Sequence, residues 1–390
     1  MATQPQAVPL WLDCDPGHDD AFAILLAAYH PMIKLLGIST VFGNASLEKT
    51  TYNATSILTA IGKYDQVAVY PGAAKASVRP PLHAPTDIHG ESGIDGTDLL
   101  PEPLRGPDRS VAAVDAMAAA LLAQAPGTAW IIATGTVTNV AEAIAKYPQL
   151  VGHIAGLSIM GGAVGDNFTS AVMGQVDGVA RIGNWTQWAE FNILVDPEAA
   201  DSIFRNEALA KKTTIIPLDI THLVLATKDV QDLLLYGSGA TPTAGGKPKT
   251  TLRLMLVQLL NFFAETYRTV FGIDQGPPLH DPVAVAVALQ GLAGGHDIPF
   301  YDYDVRAEAA SSSSPSPRRR ERFAVTVNTE GTHEEAKAGA HTGRTAATLL
   351  PEGAEGVTIP RGLDIPKFWT VMEECLQRAD DANAAAGRGP

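Results

Sequence analysis

The 390-residue chain is short of several things. It has only two cysteines, Cys14 and Cys375, which rules out a disulfide scaffold and a cysteine-built zinc site and fits a reducing interior. No apolar run approaches the roughly 20 residues that span a bilayer, so no membrane partner is expected. The opening MATQPQAVPLWLDCD carries no basic segment followed by an apolar one, so a signal peptide is not expected and a cytoplasmic location is. Positive charge is scarce: 28 Lys and Arg stand against 42 Asp and Glu, a net −14. Such a chain repels phosphate backbones, so nucleic acid is not the expected partner.

What is present is an alternation of short apolar runs with longer helical patterns. Strands are expected at Val8–Leu12, Ile33–Val41, Val67–Tyr70, Trp130–Ala133, Ile154–Met160 and Thr214–Pro217. Helices are expected at Ala21–Ala28, Leu47–Ile61, Val111–Gln124, around Asn139–Lys146, at Leu252–Phe271 and at Pro282–Leu289. Branched strands alternating with helices imply βαβ units. The expected fold is a single α/β domain over 1–380, with a mainly parallel, mixed central sheet flanked by helices and the active site at the strand C-termini. Insertions are expected near 164–182, 238–249 and 308–322, and a flexible tail over 381–390. The Ser/Arg stretch within 308–322 reads as a solvated, disordered loop.

The strongest local signal is Asp13-Cys14-Asp15-Pro16-Gly17-His18-Asp19-Asp20. Four carboxylates fall within eight residues, between a buried strand and a helix. So close together they repel, unless protons or a cation offset the charge. A hard divalent cation with oxygen ligands is the simplest remedy. A DxD after an apolar strand is also similar to the aspartyl-phosphate phosphatases of the haloacid dehalogenase type. Those usually carry Thr or Val two residues after the second Asp, where this chain has Gly17.

The motif resembles more closely the DxDxGxDD opening of the inosine–uridine-preferring nucleoside hydrolase family, and further blocks follow in order. Phe42-Gly43-Asn44 resembles its Gly-Asn, His89-Gly90-Glu91-Ser92-Gly93 its HGxxG, and Thr134-Gly135-Thr136-Val137-Thr138-Asn139 its TGxLTN. Met160-Gly161-Gly162, Gly183-Asn184 and Ala189-Glu190-Phe191-Asn192 resemble its MGG…GN…AEFN block. Asp196-Pro197-Glu198 continues it, and Leu279-His280-Asp281-Pro282 resembles its LHDP. The pattern is most similar to the eukaryotic uridine nucleosidase branch. Val137 stands where Leu is usual.

The resemblance implies hydrolysis of a ribonucleoside, uridine first, to ribose and free base. It implies Ca²⁺ held by Asp15, Asp20, Asp281 and the carbonyl of Thr134, with Asp15 as general base and His280 protonating or hydrogen-bonding the departing base. Asp19 and Asn44 are implied at the ribose 2′ and 3′ hydroxyls, Asn184 and Glu190 at the 5′ and 3′ side, Asn192 beside the ring and Met160 beneath it. His89 and Tyr267 are implied at the base. The loop Lys75–Ile88 itself reads as a lid over the base, stiffened by Pro80-Pro81, with hinges at Gly90 and Gly93. Relatives of this kind imply a homodimer or homotetramer. A phosphatase, or a nucleoside sensor on the same fold, remains the alternative. A sensor requires a lost catalytic position, and none of the motif residues is lost.

Overall fold

A computed structural model describes residues 7–82, 89–176, 178–240, 246–304 and 320–388. Its centre is a six-stranded sheet of β1 (Val8–Cys14), β2 (Ile33–Thr40), β3 (Val69–Pro71), β4 (Trp130–Ala133), β5 (Gly156–Met160) and β6 (Thr213–Ile216). The order is β3-β2-β1-β4-β5-β6, and every neighbouring pair is parallel. The mainly parallel central sheet expected from sequence is thus present, with its described pairings all parallel. Antiparallel pairing among the described residues is confined to two-stranded ribbons and isolated bridges, such as Phe323–Val327 with Thr345–Leu349.

A parallel sheet needs a cover on both faces, and β1 shows the reason residue by residue. Leu10, Leu12 and Cys14 enter one core and Trp11 the other, all fully or almost fully buried. The first core holds α1 (Asp20–Tyr29), α2 (Leu47–Ala60), α7 (Thr251–Phe271), α8 (Asp281–Ala286) and α9 (Ile365–Ala385). The second holds α3 (Ala113–Leu122), α4 (Thr138–Lys146) and α6 (Pro197–Arg205) together with the ribbon strand Phe323–Val327. The short α5 (Phe191–Val195) ends just before α6.

Residues 381–385, expected in a flexible tail, continue α9. They dock back on the body: Asn383 Nδ2 donates to the Ala60 carbonyl at 2.8 Å. Deeper in the same helix Asp380 meets Arg253 of α7 at 2.6 Å, and both side chains are buried. That long-range ion pair is invisible in local sequence. In the 164–182 insertion, Gln175–Val176 and Val179–Ala180 form a small antiparallel ribbon. Parts of the other two expected insertions lie outside the described residues (241–245 and 305–319), as do 83–88 of the expected lid. The described part of that lid is anchored, since Arg79 pairs with Glu198 at 2.7 Å and donates to the carbonyls of Thr329 and Gly331.

The order of strands fixes where a ligand can sit. The chain leaves β1 for β2 and β3 on one side, then returns to β4 on the other. The crevice beyond the C-terminal end of β1 is therefore the switch point where open α/β sheets bind ligands. The acidic motif begins in the last two residues of β1 and opens into this crevice.

Candidate active site

Each turn of the Asp13–Asp20 segment is held by its own polar groups. Gly17 N–H donates to Asp20 Oδ2 at 2.9 Å, and Thr134 Oγ1 donates to Asp20 Oδ1 at 2.8 Å. Asp15 Oδ2 accepts from Asn44 N–H at 2.7 Å, while Asn44 Nδ2 reaches back to the Asp15 carbonyl at 3.2 Å. Gly43 and Gly135 wall the Asp15 carboxylate so closely that a Cβ at either position would collide with it. Its Oδ1 is buried and has no partner among the described residues. Asp19 faces the backbone N–H groups of His280 and Asp281 at the start of α8, which favour its charged form.

The result is a knot of buried acids. Oxygens of Asp19, Asp20 and Asp281 lie within 4.8 Å of one another, and all three residues are buried. Carboxylates this close cannot all carry charge unless protons or a cation lie among them. Burial, then the neighbouring Asp20, pushes Asp19 up to about 7 and Asp15 well above the carboxylate range. Asp281 is raised well above it by burial and by Asp19, Asp20 and Asp15, and burial raises Asp20 itself. Among the described residues no lysine or arginine forms an ion pair with this group. Buried like charges without a counterion are costly. The orphaned Asp15 Oδ1 and an all-oxygen donor set fit a hard divalent cation. The cluster that converges most tightly contains Asp19 in place of Asp15, whose carboxylate turns instead toward Asn44 and the two glycines.

Above the acids opens a cleft of about 680 Å³, counting the space open to solvent. Asp19, Asn44, His89, Thr134, Met160, Asn184, Glu190, Asn192, Tyr267, His280 and Asp281 all line it. Asp15 and Asp20 lie beneath, fully buried. Eleven of the thirteen residues singled out from sequence therefore reach the cleft itself.

Their hydrogen bonds refine what each can do. Asn192 Nδ2 donates to the Thr134 carbonyl at 2.9 Å and to the Met160 carbonyl at 3.2 Å, tying the ends of β4 and β5. The Thr134 carbonyl keeps a second lone pair for another partner. Glu190 is the N-cap of α5, where its carboxylate accepts from Asn192, Ile193 and Gly162 N–H. Burial nevertheless raises it to about 7. Asn184 Oδ1 accepts from Phe191 N–H at 2.9 Å, which aims its amide nitrogen at the Tyr267 hydroxyl. Tyr267 Oη lies 2.6 Å from His280 Nε2, and His280 Nδ1 lies 2.7 Å from Thr221 Oγ1. Burial pushes the tyrosine well above its usual range and His280 well below its own. At neutral pH the phenol thus keeps its proton and the imidazole is neutral.

Sequence reading missed the aromatic wall of Trp185, Phe191, Phe263 and Phe271, and with it Thr266. Trp185 and Phe191 sat inside matched blocks without a role. Phe263 and Phe271 share a long apolar helix, where core and cleft residues look alike. Thr221 and His222, behind His280, carried no local signal. The 164–182 insertion contributes none of the described residues lining the cleft. It stands one layer behind: Arg181 lies 5.0 Å over the Phe271 ring, and the Val172 carbonyl meets His222 Nδ1 at 2.7 Å.

Comparison with known proteins agrees with this geometry. The family model of the inosine-uridine preferring nucleoside hydrolases matches residues 10–370. Uridine nucleosidase of Saccharomyces cerevisiae is 41% identical over 285 residues, covering 73% of this chain and 76% of the yeast protein. A pyrimidine-specific ribonucleoside hydrolase, RihA, of Escherichia fergusonii is 38% identical over 284 residues, covering 73% of this chain and 80% of its own. Among solved structures, a purine-preferring ribonucleoside hydrolase from Gardnerella vaginalis superposes with a TM-score of 0.71 at 26% identity. That match covers 96% of this chain and 99% of the other.

Proposed function

The chain belongs to the inosine-uridine preferring nucleoside hydrolase family, and from that membership we propose that it takes uridine as its preferred substrate and uses Ca²⁺ to cleave it. The reaction class is hydrolysis of a ribonucleoside: the N-glycosidic bond breaks, water adds to the sugar, and ribose and free base leave. The observation that carries the site assignment is the convergence of Asp19, Asp20 and Asp281 with the unpartnered Asp15 Oδ1, under a cleft rimmed by Asn44, Asn184, Glu190 and Asn192.

In this reading the carboxylates of Asp15, Asp20 and Asp281 and the Thr134 carbonyl would hold Ca²⁺, which would supply the positive charge that lets these acids ionise together and an affinity for hydroxyl oxygens. Asp15 uses Oδ1, the oxygen no protein group occupies, to take the proton of the attacking water. Asp19 and Asn44 hold the 2′ and 3′ hydroxyls, Asn184 and Glu190 the 5′ and 3′ side, and Asn192 fixes the ring edge while Met160 packs below. Positive charge builds on the sugar as the bond breaks, and the buried acids around it favour that state over the neutral ground state. The base departs toward Tyr267 and His280. With Nε2–H donating to the phenol oxygen, His280 frees the phenol proton for the departing base, and Thr221 Oγ–H donates to the vacated Nδ1. His89, which also lines the cleft, meets the base as well.

Uridine is favoured because the yeast relative named for it and the pyrimidine-specific bacterial one are 41% and 38% identical, against 26% for the purine-preferring structure. A cytoplasmic setting suits two buried, free thiols, and no described helix is long and apolar enough to cross a membrane. Assembly as a homodimer or homotetramer completes the proposal, and sedimentation of the purified protein measures it. The test of the reaction is release of reducing sugar from uridine, beside inosine, cytidine, 2′-deoxyuridine and uridine 5′-phosphate, for wild type and Asp15→Ala. Expected is ribose from uridine, lost in Asp15→Ala and poor from the deoxy substrate, whose missing hydroxyl leaves buried partners unpaired. Equal rates with 2′-deoxyuridine would overturn the ribose assignments. Sugar release only from inosine would overturn the base preference.

A further inference from the structure

His18 lies inside the acidic motif yet has no place in the chemistry above. It is fully buried, with its ring stacked on Phe262 at 5.1 Å and 10° between planes. Its Nε2 lies 2.7 Å from the backbone carbonyl of Asp95, and its Nδ1 lies 3.0 Å from Nδ1 of His89. His89 in turn lines the cleft. The logic of these contacts is directional. A carbonyl can only accept, so His18 Nε2 carries a hydrogen and donates it. Among the described residues no carboxylate oxygen reaches either nitrogen of His18, and its ring packs against Phe262 and Phe263, so nothing there pairs with a charged imidazolium. The ring is therefore neutral and its Nδ1 is a lone pair. His89 must then bring the hydrogen on its own Nδ1, which leaves His89 Nε2 as a lone pair. Among the described residues that nitrogen has no protein partner.

We infer that His18 is a positioning residue that locks His89 into the tautomer presenting a hydrogen-bond acceptor to the cleft, so that the site selects bases bearing an imide-type N–H. Uracil offers such a group at N3 and hypoxanthine at N1. A base methylated there puts a methyl group against the acceptor and leaves it unpaired. This rests on the proposed placement of His89 at the base. It goes further by giving the contact a polarity and naming the residue that sets it.

Two measurements test it. In protein labelled with ¹⁵N at its histidine rings, the two nitrogens of His89 give separate signals for protonated and lone-pair states. Expected at neutral pH are a protonated Nδ1 and a lone-pair Nε2 in His89, with the reverse in His18. A protonated Nε2 in His89 overturns the inference without reference to turnover or to any variant. The second compares kcat/KM for uridine and 3-methyluridine. Wild type is expected to prefer uridine by at least about tenfold. His18→Phe keeps the stacking on Phe262 but frees the His89 tautomer, and the preference is expected to shrink to a few-fold. His18→Gln, whose amide can donate to the Asp95 carbonyl and accept from His89, is expected to restore it. A preference unchanged in folded His18→Phe overturns the inference. If no nucleoside is hydrolysed, the proposed activity fails on its own, and the tautomer signals with the binding ratio of the two nucleosides still decide the role of His18.

Discussion

The buried acids should make the stability of this protein depend on pH in opposite senses with and without calcium. Burial raises Asp13 and Asp19 from 3.8 to about 7 and Glu190 from 4.5 to about 7. Between roughly pH 4 and 7 the folded, cation-free protein keeps protons that the unfolded chain has released. Fewer protons are bound in the unfolded state, so unfolding becomes easier as pH rises. The stability from these groups is fully present below about pH 4 and is lost as pH climbs through about 7. At about 1.36 kcal/mol per pKa unit, one group raised by about three units is worth on the order of 4 kcal/mol. With unfolding entropy near 2.1 cal/mol/K per residue, 390 residues give about 0.8 kcal/mol/K, so one such group moves Tm by about 5 °C. Calcium opposes the slope because its proposed ligands Asp15, Asp20 and Asp281 bind it only when ionised, and at one hundred times its Kd it adds about 2.7 kcal/mol. The assay is a series of calorimetric melts from pH 5 to 8, in chelator and in calcium. Tm is expected to fall with pH in chelator and to hold or rise in calcium, with magnesium the weaker substitute. Identical curves in chelator and calcium, or a Tm that rises with pH in chelator, would refute the reasoning.

Three further outcomes follow from single side chains. Tyr267→Phe removes the phenol that meets His280 Nε2 at 2.6 Å; kcat on uridine is expected to fall about 10- to 100-fold with KM nearly unchanged, and steady-state kinetics separates the two. Glu190→Gln keeps one acceptor of the α5 N-cap but loses the charge at the 5′ and 3′ side. It is expected to cost about 1 kcal/mol in Tm measurements and to narrow the discrimination between uridine and 5′-deoxyuridine; unchanged discrimination would remove Glu190 from the sugar. Asp380→Ala strips the closest partner, at 2.6 Å, from the fully buried Arg253, whose guanidinium also reaches Glu373 at 3.2 Å. Loss of about 3 kcal/mol in denaturant titration is expected, at the low end for breaking a buried pair because Glu373 remains, with turnover per folded molecule unchanged.

Much of the site was readable in the chain because its chemistry is local. Asp13 to Asp20 sit on one strand end and one helix start, and the branched run Val8–Leu12 shows that the strand is buried, so the acids had to gather at a buried edge. The residues that had to be joined across the fold were legible only through their family pattern. Asp281 is 261 positions from Asp20, and no spacing rule links them. The aromatic wall was not legible, because an apolar helix such as Thr251–Phe271 shows the same periodicity whether a given face lines a cleft or packs a core. Helix α9 lacked a strong apolar stripe in its second half, and its docking depends on Asn383 and on Asp380 meeting partners 323 and 127 residues away.

The sequence by itself determined the layered α/β plan and the presence of a carboxylate knot at a strand end, since strand and helix periodicity and like-charge repulsion act over a few residues. Tertiary structure alone decided which oxygens converge. It set Asp15 between Gly43 and Gly135 with one oxygen free, brought Asp19 to the backbone of α8, and closed the sheet as fully parallel. It also set His18 between the Asp95 carbonyl and His89, and brought Tyr267 within 2.6 Å of His280. These are properties of burial and of contacts between distant segments, which give a side chain its partner and its protonation state only once the chain has closed around it.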